Sequence, residues 1–262
     1  MQPDPSALVA LVTGASRGIG AAIAAALAAR GVRVALHYHT NRAAAGAALA
    51  RLPGTGHRLF AADLADPAAT LAMWDEVGGR LGPIDIVVNN AGVFLDHPPL
   101  GTHYAAWLGA WQRTLATNLV GPANLSLLAM QSMAARPQPL GPEFGRGRIV
   151  NVSSRGAFRG EPDAPAYGAS KAALNALSQS LAKAVAARAI YVYAIAPGWV
   201  ETEMASDHLA GPGGAAILAQ HPLGRVNRTD EVAGAVAYCA LDAPPAMTGG
   251  VIDVNGASYL RS

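Results

Sequence analysis

The stretch Leu8-Val9-Ala10-Leu11-Val12-Thr13-Gly14-Ala15-Ser16-Arg17-Gly18-Ile19-Gly20 runs into AAIAAALAAR (21–30), Gly31 and VRVALHY (32–38). Residues 8–13 are a short apolar run with β-branched side chains, which suits a buried strand. The alanine-rich segment after Gly20 favours helix, and Gly31 suits its C-terminal end. Residues 32–38 read as a second strand. Strand, glycine-rich turn, helix and strand make one βαβ unit. Glycines let such a turn tighten and bring a phosphate close to the backbone. The helix N-terminus adds free N–H groups and a partial positive charge, which suits a pyrophosphate. The place of the turn, directly after the first strand, is the context this pattern requires.

The alternation continues outward. Helices are expected at 42–52, 67–80, roughly 104–135, around Tyr167 and at 229–242. Strands are expected at 58–62, 84–89, 148–153, 190–196 and 249–254. Seven apolar strands alternating with helices predict an α/β, doubly wound (Rossmann) parallel sheet with helices on both faces, one domain over 1–262. Ligands of such sheets bind beyond the carboxyl ends of the strands. The segments 14–20, Asp63, 89–92, 153–154 and 197–202 all fall at such ends.

Hydrophobic residues make up 52% of the chain and charged residues 14%, so a large core is expected and disorder is not. The net charge is +2 with no basic block, which argues against nucleic acid as a partner. The one cysteine, Cys239, excludes an internal disulfide framework and a thiolate metal cage. The segment MQPDPSALVALVTG lacks a signal-peptide pattern, and the Ala-rich runs are shorter than a membrane span. A cytoplasmic protein without membrane attachment is expected. His37 and His39 share a strand face, but no third ligand accompanies them, so no metal site is expected.

Ser153-Ser154 precedes Tyr167-Gly168-Ala169-Ser170-Lys171 in Ala-rich, helix-prone sequence. On a helix, the phenol of Tyr167 and the ammonium of Lys171 share one face. A fixed ammonium favours the phenolate and draws the Tyr pKa toward neutrality, which makes the pair a candidate proton donor and acceptor. The hydroxyl of Ser154 is placed to hydrogen-bond the same reacting oxygen, although chemistry alone does not choose between the two serines.

These residues resemble the short-chain dehydrogenase/reductase family over nearly the whole chain. Six ordered motifs carry the resemblance: Thr13 to Gly20 (T-G-x-x-x-G-x-G), Asn89 to Gly92 (N-N-A-G), Asn118 in TLATNLVG, Ser154, Tyr167/Lys171, and Pro197-Gly198-Trp199-Val200-Glu201-Thr202 (P-G-x-x-x-T). The tail PLGRVNRTDEVAGAVAYCALDAPPAMTGGVIDVNGA is similar to that of the 3-oxoacyl-acyl-carrier-protein reductase branch. The resemblance implies an NADP(H)-dependent oxidoreductase acting on a small-molecule carbonyl or alcohol. It implies a catalytic set of Asn118, Ser154, Tyr167 and Lys171, with Ser154 favoured over Ser153 by its spacing to Tyr167. In that set Tyr167 gives the proton, Ser154 holds the oxygen, Lys171 holds the nicotinamide ribose, and Asn118 positions a water. It further implies cofactor contacts from Gly14, Ser16, Arg17, Gly18, Ile19, Gly20, Asn90, Ala91, Gly92, Pro197, Gly198, Val200 and Thr202.

Charge argues for the choice of cofactor. NAD-preferring folds place a carboxylate at the end of the second strand, but His37-Tyr38-His39-Thr40-Asn41-Arg42 has none. Arg17 and Arg42 suit a 2′-phosphate, so NADP(H) is expected over NAD(H). By resemblance His39 and Thr40 stand where that phosphate is contacted. Asp63 and Leu64 resemble the pair that contacts adenine; the alternative for Asp63 is a helix N-cap before Pro67.

The family implies a homotetramer, or a dimer, built through the two long helices and the last strand. It also implies a lid over the substrate at 203–221, which contains His208. Phe94, Arg155, Ala157, Phe158 and Trp199 are candidates to line the substrate cleft. The Pro/Gly-rich segment 136–147 is longer than the usual turn and is expected to be a surface loop or subunit contact. Substrates weighed are a 3-oxoacyl thioester and another ketone, sugar or secondary metabolite. A dinucleotide-sensing protein without turnover is the non-enzymatic alternative.

Overall fold

The computed structural model describes residues 3–261, apart from the side chains of Met204 and Asp207. Among the described residues, seven strands form one sheet in the order β3-β2-β1-β4-β5-β6-β7. They are β1 Val9–Val12, β2 Arg33–Tyr38, β3 Arg58–Ala61, β4 Ile86–Asn89, β5 Gly147–Val152, β6 Ile190–Pro197 and β7 Val251–Val254. Every pairing is parallel.

Parallel strands need helical crossovers, and those helices cover both faces. Side-chain alternation therefore buries both sides of each central strand. Ala10 and Val12 of β1 face one core, with Ile86 and Val88 of β4 and Tyr193 and Ile195 of β6. Val9 and Leu11 face the other, with Val87, Ile149 and Val192. The first core is closed by α1 (Gly18–Ala29), α2 (Arg42–Ala50) and, at the far end of the chain, the helix Thr229–Leu241. The second is closed by α3 (Pro67–Leu81), by Gly121–Ala134 and by Pro165–Val185.

The expected single helix over 104–135 is two helices, α4 (Tyr104–Leu115) and α5 (Gly121–Ala134), joined by a π-turn at Ala116–Val120. The cause is Pro122. It has no N–H for the carbonyl four residues earlier, that of Asn118, and its ring collides with that carbonyl in a regular helix. Widening to a π-turn relieves both. The remaining helices are α6 (Gly156–Arg159), α7 (Pro165–Val185), α8 (Glu203–Ala210), α9 (Gly214–Ala219) and α10 (Thr229–Leu241).

The segment 136–147 enters β5 at its start, away from the carboxyl ends of the strands, but it is more than a surface loop. Phe144 is buried in the core. Arg136 pairs with Asp85 at 2.6 Å, and Asp85 accepts the Val9 N–H at 2.7 Å. The buried Arg148 donates to the carbonyls of Glu143, Phe144 and Cys239. These contacts tie the segment to β1, β4 and α10.

Candidate active site

The strand order reverses between β1 and β4, which splays the turns after these strands and opens a cleft. A cavity of about 350 Å³ runs from the glycine turn to Tyr167 and α8.

At one end, two turns are stapled together. The Thr13 hydroxyl accepts the N–H groups of Asn90 and Ala91, each at 2.9 Å. The Asn90 amide donates to the Thr13 and Gly14 carbonyls. A Cβ at Gly20 would collide with the Gly14 carbonyl and the Asn90 amide, and Gly14 itself has φ +64°. Only glycine meets both demands. Arg17, the N-cap of α1, makes no side-chain capping bond, so the first-turn N–H groups open on the cleft.

His37 lies behind this turn, 2% exposed. Its Nδ1 accepts the Gly14 N–H at 3.1 Å and its Nε2 reaches the Ala62 carbonyl at 3.1 Å. Both nitrogens are used, and the ring must stay neutral to accept from Gly14. Burial pushes its pKa down to about 4. The unfolded chain takes up the proton near pH 6.5, before the folded one does. The stabilisation is therefore whole above about pH 6.5 and is lost as pH falls toward about 4, on the order of 3 kcal/mol. Denaturant unfolding across this window is expected to give a shallower acid slope in His37→Asn than in the parent chain. An equal slope would discard His37 as the source.

Asp63 is held by Arg113 of α4 at 2.7 Å, and this bond keeps its carboxyl below the usual range. It is not the helix cap; Asp66 caps α3 by accepting from Ala68 and Ala69. His39 stands 3.7 Å from Asp63. Ser16, Arg17, Gly18, Ile19 and Leu64 line the same end of the cavity, but Thr40 does not. Arg17 pairs with Glu203 of α8 at 2.9 Å, and among the described residues Arg42 donates to the Tyr38 hydroxyl at 3.4 Å.

At the other end, β5 and α7 deliver the polar groups. Ser153 is buried and donates to the Lys171 carbonyl at 3.2 Å. Ser154 is the serine that acts on the Tyr167 phenol, opposing the rise in its pKa, and its Oγ accepts the Gly156 N–H at 3.0 Å. Lys171 donates to the Val152 carbonyl at 2.7 Å and lies 5.7 Å from the Tyr167 ring centre. Burial pushes the Lys171 ammonium down to about 8 and the Tyr167 phenol up to about 12, with Ser154 opposing the rise. This corrects the expectation that Lys171 draws the phenol toward neutrality. Burial is the largest influence on the phenol, which holds its proton.

Asn118 lies behind the site, 0% exposed. Its amide exchanges bonds with both backbone groups of Val93 (2.8 and 2.9 Å) and reaches Ser170 at 3.3 Å. It braces the strand end; its side chain does not line the cavity. Another brace was missed in the sequence. His97 is buried against Trp107, gives its Nδ1 proton to the Leu95 carbonyl at 2.7 Å and accepts the Ala166 N–H at 3.1 Å. It thereby caps α7 one residue before Tyr167. Pro197, Gly198, Val200 and Thr202 line the cavity beside Gly92, and Trp199 and Phe94 wall it. Thr117, next to Asn118, also lines it, as do Arg113, Glu161 and Glu203, which carry no motif in the sequence.

The comparisons agree with this geometry. Residues 14–257 match a family model described as enoyl-(acyl carrier protein) reductase. The chain is 37% identical over 252 residues to the 3-oxoacyl-[acyl-carrier-protein] reductase FabG of Escherichia coli K12, covering 96% of this chain and 97% of that protein. It is 36% identical over 253 residues to FabG of Staphylococcus aureus Mu50, covering 96% and 98%. This chain belongs to the short-chain dehydrogenase/reductase family. A solved short-chain dehydrogenase from Burkholderia cenocepacia J2315, in complex with NADP, superposes with a TM-score of 0.82 at 34% identity, covering 97% of this chain and 99% of that one. As a member of the short-chain dehydrogenase/reductase family, the protein is an oxidoreductase. Among the described residues no helix is long and apolar enough to cross a membrane.

Proposed function

We propose that this protein reduces a carbonyl to a secondary alcohol with NADPH, with residues 1–262 acting as one dinucleotide-binding unit. The observation that carries the reading is the Ser154–Tyr167 pair at the end of a cavity that begins in the glycine turn. The cradle fits a dinucleotide: glycines admit the backbone to a pyrophosphate, and the N-terminus of α1 is uncapped. Gly14, Ser16, Gly18, Ile19 and Gly20 would hold the pyrophosphate end. Asp63 and Leu64 would hold adenine. Asn90, Ala91, Gly92, Pro197, Gly198, Val200 and Thr202 would surround the nicotinamide. Bound NADPH supplies hydride to the carbonyl carbon.

The chain's own residues do the rest. Ser154 donates to the carbonyl oxygen as charge develops there, which stabilises the transition state more than the ground state. Tyr167, protonated up to about pH 12, gives its proton to that oxygen. Lys171 keeps a positive charge beneath the phenol and reaches the ribose. Asn118 acts here through the shape it imposes on the strand end after β4.

NADP(H) is favoured over NAD(H) because no carboxylate ends β2 and because Arg17 and His39 line that end of the cleft. Asp63 offers little free charge there, since Arg113 holds it. The relatives' names point to a 3-oxoacyl thioester as the substrate. A polar ketone or sugar is the second reading, favoured by Glu161 in the cavity wall. A sensor without turnover is disfavoured by the complete Ser154, Tyr167 and Lys171 set. A homotetramer, or a dimer, in the cytoplasm completes the reading. The exposed Tyr104 and Leu108 on α4, with Val120 and Leu127 on the following turn and helix, supply apolar surface for subunit contact.

The test is NADPH consumption with acetoacetyl thioester and a ketone panel, repeated with NADH, with solution mass measured by light scattering on the same sample. The expected result is turnover of a carbonyl with NADPH preferred, in an oligomer. NADH preference would overturn the reading of the β2 end, no turnover would favour the sensor, and a monomer would end the oligomer proposal.

A further inference from the structure

The substrate end of the cavity holds two polar groups that the proton chemistry does not use. Glu161 lies in the loop between α6 and α7 and lines the cavity with Ser154 and Tyr167. Among the described residues its carboxylate takes no hydrogen bond or ion pair. The guanidinium groups of Arg155 and Arg159 act on it only through their charge, since both donate to the Gln220 side-chain oxygen at 3.0 Å. Its place is built into the backbone. A Cβ at Gly156 would collide with Glu161 Oε1, so the carboxyl lies where only glycine leaves room. Across the cavity, His208 packs on Phe94 and Trp199 at 5.8 and 5.5 Å, and its buried Nδ1 has no partner among the described residues. Burial raises the Glu161 pKa, and the charge of Glu161 in turn helps to raise that of Tyr167 in the same cavity.

The buried His208 Nδ1 is costly to leave without a partner, and the partly exposed Glu161 carboxylate opens on the same cavity, so together they mark where a ligand's polar atoms would go. We infer that Glu161 selects a carbonyl substrate carrying a hydrogen-bond donor, such as a hydroxyl group, close to the reacting carbon. This rests on the carbonyl-reductase reading. A plain acyl chain leaves the carboxylate unpaired and desolvated, whereas a hydroxyl satisfies it. His208 is the second contact for the same polar group.

The experiment compares ketones matched in size: hydroxyacetone with butanone, and 4-hydroxy-2-butanone with 2-pentanone. For each pair the ratio of kcat/KM values is measured in the parent enzyme, in Glu161→Leu and in Gly156→Ala, whose added methyl displaces the carboxyl without removing it. Intrinsic reactivity differences are common to all three proteins and cancel. The preference for the hydroxyketone is expected to fall about tenfold or more in both variants, the worth of one hydrogen bond to a charged group. Unchanged ratios in whichever variants fold would overturn the inference and leave the reductase reading intact. If the folded, NADPH-binding parent reduces none of these ketones and no thioester, the reductase reading fails and this inference fails with it.

Discussion

Tyr167→Phe is expected to lower kcat for carbonyl reduction by a factor of about a hundred to ten thousand, the usual worth of a positioned general acid. The substitution removes one oxygen and little else. The ring keeps its packing on Phe94, with centres 4.9 Å apart, and its place 5.7 Å from the Lys171 ammonium. NADPH affinity, read by cofactor fluorescence, is therefore expected to stay within about threefold, because the glycine cradle is untouched. In the proposed mechanism the loss belongs to proton delivery, since Ser154 hydrogen-bonds the substrate oxygen and keeps its proton. Retention of more than about a tenth of the activity would mean that another group delivers the proton.

The largest loss of stability is expected from a residue far from the chemistry. Arg148 is 0% exposed at the start of β5, and it carries a charge into the core. Its guanidinium gives hydrogen bonds to the carbonyls of Glu143 at 2.7 Å and Cys239 at 3.0 Å, with a longer one to Phe144. The rings of Phe144, Tyr191 and Tyr193 surround it at 5.1 to 5.9 Å. Cation–π attraction and charge-assisted bonds offset the cost of burial. Arg148→Met fills much of the space but leaves the carbonyls unpaired, at about 1–3 kcal/mol each. Removing the buried charge returns part of this, so the net loss is expected to be about 3 kcal/mol. For a chain of this length that lowers Tm by roughly 6–12 °C. Calorimetry checks the shift, and kcat measured well below Tm is expected to hold, since Arg148 lies at the opposite end of β5 from Ser154. A Tm within about 2 °C of the parent would mean that the loop and α10 do not depend on this guanidinium.

Local chemistry made the site legible where backbone geometry demands one residue type. Gly14 and Gly20 are needed by a positive φ and by a close approach, and both stand in the motif. Thr13 and Asn90 join two motifs that the sequence keeps far apart. The weaker inferences concerned environment. The Tyr167–Lys171 spacing is visible in the chain, but the burial that reverses the expected pKa shift is a property of the packed α7. The break at Asn118 is present in the sequence as Pro122 four residues on, but apolar periodicity hides a single missing N–H. His97, Arg113 and Glu161 carry no motif, because their partners lie at Ala166, Asp63 and across an open cavity.

Pattern alone determined the parallel sheet, the glycine turn after β1 and the Tyr167–Lys171 spacing, because strand period, turn sterics and helical spacing are local properties of the chain. Only the tertiary structure decided which way the phenol's pKa moves, and that Glu161 lines the same cavity without a partner among the described residues, because desolvation and pairing depend on neighbours that folding brings from distant positions.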